Sequence, residues 1–107
     1  MKTIPKASLM ILTLTLVFSA YTFASLGADI YKTKGCAACH GPTGAGDTTM
    51  GKNLKLRDLG SADVQKQSED ELEAIVAKGK GKMPAYGGKL TKEQIDDVVK
   101  FIRSLKK

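Results

Sequence analysis

The chain has 107 residues, 17 basic and 11 acidic side chains for a formal charge of +6, a single His, two Cys and no Trp. That length holds one domain, and so mild a basic excess, with no concentrated basic stripe, excludes nucleic acid as the expected partner. Two cysteines and one histidine also fall short of a four-ligand zinc site.

The first element is a leader. Lys2 and Lys6 form a positive start, Leu9 to Phe18 an apolar centre, and Thr22-Phe23-Ala24 a small-x-small cleavage site. We expect residues 1–24 to be a cleaved signal peptide and 25–107 the working domain. The alternative is an uncleaved anchor, since no charge falls between Ala7 and Ala28, a length near the limit for a spanning helix. In both cases the domain faces outward. A periplasmic location is expected, with a lumenal one, or anchorage to the outer face of the cytoplasmic membrane, as alternatives. Without the leader the chain is small for a core built from side chains alone, and a prosthetic group would supply the missing apolar surface.

Leu26 to Gly35 reads as a short helix, with Ile30 and Tyr31 facing inward and Gly35 ending it. It delivers Cys36-Ala37-Ala38-Cys39-His40, a C-x-x-C-H sequence, which is the attachment pattern of a c-type haem. Thiols at that spacing can add to the two vinyl groups of one porphyrin. The adjacent imidazole then lies close enough to bind the iron axially. A thioredoxin-like redox pair would need a β-α-β pattern that the chain lacks, and a structural disulfide would close only a tiny loop.

Gly41 to Gln67 carries glycines at 41, 44, 46, 51 and 60 and little periodicity. We expect an irregular segment that packs Leu54, Leu56 and Leu59 against the porphyrin. His40 should bind through Nε2, with Nδ1–H oriented by a carbonyl in the Gly41 to Ala45 loop. Arg57 is either a propionate partner or a solvated loop residue.

Ser68 and Glu71 fit a capping box opening a helix that runs to about Lys78, with Leu72, Ile75 and Val76 on its buried face. Thr91 and Gln94 form a second box. The helix that follows carries Ile95, Val98, Val99 and Ile102 at helical spacing, widened by Phe101 and Leu105.

With one histidine in the chain, the other axial position of the iron needs a different ligand. Met1 and Met10 belong to the leader, which leaves Met50 and Met83. Met83 precedes Pro84, which holds the preceding backbone extended, in the glycine-rich connection between two helices. It is the expected ligand, while filling a core gap is the competing role. Met50, in the glycine segment after His40, is expected to touch the haem edge or face solvent, with ligation as the alternative.

Cys36-Ala37-Ala38-Cys39-His40-Gly41, then Lys82-Met83-Pro84-Ala85-Tyr86 and a terminal Asp97-Val98-Val99-Lys100-Phe101-Ile102 helix, resemble the small class I c-type cytochromes of bacterial periplasms and photosynthetic lumens. The resemblance covers essentially the whole chain after the leader. It implies an all-α cytochrome c fold, three main helices and irregular loops wrapped around one covalently bound haem c. By the same resemblance the first helix crosses the last, with Gly27 and Tyr31 meeting Phe101.

A His40/Met83 pair would leave no open position on the iron, which favours electron transfer over catalysis. The expected role is a monomeric single-haem carrier moving one electron at a time between redox protein partners, and not an enzyme. One alternative is an electron-accepting subunit of a dehydrogenase or reductase complex. Another is a haem sensor or enzyme from which Met83 dissociates. Lys78, Lys80 and Lys82 before Met83, and Lys89 after it, either steer an acidic docking surface or serve solubility. A membrane would be met only through redox complexes or an uncleaved leader.

Overall fold

The computed structural model describes residues 26–107. The expected leader and its cleavage after Ala24 lie outside the described residues.

Among those residues the elements are all helical: α1 at 26–33, α2 Cys36–His40, α3 Thr49–Leu54, α4 Ala62–Gln65, α5 Glu69–Lys78 and α6 Lys92–Ser104. One isolated antiparallel bridge joins Lys80 to Met83. None of the described helices is long and apolar enough to cross a membrane.

α6 begins where the capping pattern places it. The Thr91 hydroxyl accepts from the Gln94 amide at 3.1 Å and the Gln94 side chain accepts from the Thr91 amide at 2.9 Å. Such a cap contributes about 1 kcal/mol. Four side chains of its stripe, Ile95, Val98, Val99 and Ile102, are buried, each worth about 1.5–3 kcal/mol relative to exposure, so packing outweighs the cap in holding the helix. At α5 only half of the expected box forms. Ser68 accepts from the Glu71 amide at 3.1 Å, but the Glu71 carboxylate takes the Ser68 hydroxyl at 3.2 Å instead of reaching back to the Ser68 amide.

Two apolar clusters fill the interior. Val64, Leu72, Val98, Val99 and Ile102 form one, and Val76, Tyr86, Leu90 and Ile95 the other; Ile30 of α1 packs against both. α1 lies against α6 as expected. The Tyr31 and Phe101 rings stand 4.9 Å apart at 48°. A Cβ on Gly27 would collide with the Asp97 carbonyl oxygen and come within 2.9 Å of the Phe101 Cβ, so the crossing needs a residue with no side chain.

The segment from Gly41 to Gln67 is more ordered than its composition suggests. It holds α3 and α4, each a turn or so long, too short for periodicity to reveal. The Thr48 hydroxyl caps α3 by accepting from the Gly51 amide at 2.9 Å, and Val64 of α4 enters the first cluster. Side chains then tie this segment to α6. Gln65 Nε2 donates to the carbonyls of Leu59 and Ile102 at 2.8 and 2.9 Å, and Arg103 donates to those of Gln65 and Gln67 at 2.7 and 2.5 Å.

Candidate functional site

The packing leaves a cavity of about 380 Å³ whose walls come from every part of the described chain. On one side stands α2 with Cys36, Cys39 and His40. Leu54 at the end of α3 and Leu56 and Leu59 from the loop after it line the cavity, as expected from the sequence. Ile75 and Val76 of α5 and Val98 and Ile102 of α6 form the floor. Met83, Pro84 and Tyr86 complete the enclosure from the connection between α5 and α6.

α2 is short and is held by its surroundings. Gly35 before it and Gly41 after it have φ of 86° and 83°, a region favourable only to glycine, so the chain turns into and out of the pentapeptide sharply. Three successive carbonyls are then occupied: Cys39 accepts from the Thr48 hydroxyl at 2.7 Å, His40 from the Gly46 amide at 2.8 Å and Gly41 from the Tyr31 hydroxyl at 2.5 Å. Gly51 of α3 nests directly on this backbone, where a Cβ would lie 2.6 Å from the Cys39 carbonyl oxygen.

The expected orientation of His40 by a carbonyl of the Gly41 to Ala45 loop is not found. Its Nδ1 is buried with no hydrogen-bond partner. Burial alone holds the imidazole below the ordinary histidine range, which keeps it neutral and able to act as a ligand. Burial likewise pushes the Cys36 thiol up. Both cysteines are free and half-buried.

The two candidate methionines separate clearly. Met83 is half-buried, lines the cavity and packs against the Val76, Tyr86, Leu90 and Ile95 cluster. Met50 is 50% exposed and does not line the cavity. The four lysines also separate. Lys80 and Lys82 lie exposed at the cavity rim, whereas Lys78 does not reach it and Lys89 places its ammonium 5.7 Å from the Tyr86 ring centre. Arg57, on the loop after α3, is exposed and also lines the cavity.

Sequence reasoning missed the two phenols. Tyr31 donates to Gly41, and Tyr86 donates to the Lys34 carbonyl at 3.0 Å across 52 residues. An apolar pattern shows that a tyrosine ring is buried and says nothing of where its hydroxyl goes. Burial, first of all, raises both phenols, Tyr31 to about 12, so each is a stable donor at neutral pH.

Known proteins supply the comparison. Residues 23–102 match the family model described as cytochrome C oxidase, cbb3-type, subunit III. The chain is 38% identical over 92 residues to cytochrome c6 of Thermostichus vulcanus, covering 80% of this chain and 79% of that protein. With cytochrome c6 of Nostoc sp. it shares 36% identity over 105 residues, 89% of this chain and 87% of the relative. Among solved structures, the KustC0563 c-type cytochrome superposes with a TM-score of 0.69 at 30% identity, over 76% of this chain and 98% of the other.

Proposed function

Since this chain belongs to the small class I c-type cytochromes and carries single electrons on one covalently bound haem c, we propose that Cys36 and Cys39 hold the haem by thioethers and that His40 and Met83 are the axial ligands of its iron. It is an electron-transfer protein and not an enzyme. One observation carries the assignment: two thiols and an imidazole from one pentapeptide and a thioether from a segment far away in sequence line a single, mainly apolar cavity.

The donor set fits the group. A buried imidazole nitrogen without a partner, two unpaired thiols on one short helix and an apolar enclosure are what a covalently attached haem requires of its protein. When bound, the haem supplies an iron that alternates between ferric and ferrous states. The residues around it do the rest. Two protein ligands keep external molecules from the metal, and a thioether ligand favours the ferrous state. Leu54, Leu56, Leu59, Ile75 and Val98 exclude water, which also favours the less charged state.

Lys80 and Lys82 extend the reading to the partner. Their exposed ammonium groups lie at the rim nearest Met83 and fit the docking of a redox protein with an acidic surface. We further assign residues 1–24 as a cleaved leader and the working place of 25–107 as outside the cytoplasm, in a periplasm or lumen. The protein works there as a monomer.

Visible spectra of the haem-loaded protein, oxidised and reduced, test the ligand set. The native protein should be low-spin in both states, and Met83→Ala should become high-spin or open to carbon monoxide. Met50→Ala should match the native protein. An unchanged spectrum in Met83→Ala would falsify the assignment.

A further inference from the structure

Tyr86 stands three residues after Met83 and is bound to the rest of the molecule in two directions. Its amide donates to the Val76 carbonyl at 3.0 Å, and the next amide, of Gly87, donates to Ala77 at 2.9 Å, which fixes this part of the connection to the end of α5. Its side chain runs the other way. The ring is buried between Val76, Leu90 and Ile95, and the hydroxyl donates to the carbonyl of Lys34, two residues before Cys36. Lys34 is itself held, since its amide donates to Ile30 at 2.9 Å as the last bond of α1.

The backbone of the Met83 connection is therefore tied to the segment that opens α2 by one phenol. On its other side the connection is closed only by the Lys80–Met83 bridge, whose two bonds, 3.0 and 3.2 Å, lie within the loop and give no link to α2. Pro84 and Ala85, both exposed, are all that separates Met83 from the anchored tyrosine.

We infer that Tyr86 is a positioning residue for the iron ligand: its hydroxyl bond to Lys34 holds the Met83 connection against the C-x-x-C-H segment and so keeps the thioether from leaving the metal. This rests on the assignment of Met83 as a ligand. A bond of this kind biases an equilibrium by about three- to tenfold when removed. The fraction of molecules with Met83 detached should rise by that factor in Tyr86→Phe, which keeps the ring and its packing.

The measurement is the rate at which imidazole replaces the native ligand in the ferric, haem-loaded protein, followed through loss of the thioether-to-iron charge-transfer band. Tyr86→Phe should exchange about three- to tenfold faster than the native protein. Val99→Ala, a core substitution away from the cavity, should lower the unfolding midpoint more than Tyr86→Phe does while changing the exchange rate less. Equal exchange rates in native and Tyr86→Phe protein, with the band lost in Met83→Ala, would overturn the tether and leave the ligand assignment standing. A band that survives in Met83→Ala would overturn both.

Discussion

Gly27 of α1 sits so close to Asp97 of α6 that the carbonyl oxygen of Asp97 occupies the place of a side chain. The contact sets how near the first helix comes to the last, and with it the stacking of Tyr31 on Phe101. Gly27→Ala should therefore lower the stability of the haem-loaded protein by about 2–3 kcal/mol, the cost of overpacking a tight contact. Denaturant unfolding with an unchanged slope would read this directly. A loss within experimental error would show that the helices separate freely.

The cavity sets a second expectation. Apolar space of about 380 Å³ left unfilled costs at most about 9 kcal/mol at roughly 24 cal/mol per Å³, as much as the whole stability of a domain this size. The exported Cys36→Ser/Cys39→Ser double variant, without its haem, should lose cooperative thermal unfolding in circular dichroism. A sharp transition would mean that the two side-chain clusters suffice by themselves.

Charge at the rim gives a third. Lys80→Glu together with Lys82→Glu should slow reduction by the native donor about tenfold at low ionic strength, and the gap should close as salt is added. Lys78→Glu, away from the rim, should change the rate less. Identical salt profiles for the two variants would remove the docking role from this edge.

The fourth concerns acid groups between α5 and α6. Glu73 faces Asp96, and Glu69 and Asp70 lie close by; hydrogen bonding to Asp96 and the surrounding negative charge raise the Glu73 carboxyl above its usual range. Lys100, 3.0 Å from Asp96, holds Asp96 below the usual carboxylate range, so the extra proton settles on Glu73. A carboxyl whose folded pKa exceeds its unfolded one binds protons more tightly when folded. Its contribution is favourable in acid and is lost as pH rises through the folded value. Glu73→Gln should thus raise the unfolding midpoint at neutral pH and give no advantage at acid pH. An advantage that stays constant with pH would point to packing instead of charge.

Much of this was legible in the residues because it depends on local chemistry. The C-x-x-C-H spacing is what proposes Cys36, Cys39 and His40 as the haem site, and α6 declares itself by its cap and stripe. The lack of a second histidine points to a methionine, and Pro84 and the place between two helices favour Met83 over Met50; the structure separates the two by exposure. What could not be read depends on partners distant in sequence. His40 Nδ1 is buried without a partner, and the bonds from Tyr31 and Gly46 that brace the carbonyls of Gly41 and His40 come from other segments. The turns of α3 and α4 form because Gly51 and Val64 find places made by other segments, and no short pattern announces that.

The different bracing of α2 and of the Met83 connection has one more consequence. The five residues proposed to attach the haem have their own brace from Thr48, Gly46 and Tyr31, while Met83, the proposed second ligand, rides on the connection between α5 and α6 that Tyr86 ties to Lys34. Exchange of residues 79–90 that keeps Tyr86 should therefore shift the midpoint potential while the attachment at Cys36 and Cys39 stays in place, and Tyr86 marks where such a graft must be sutured.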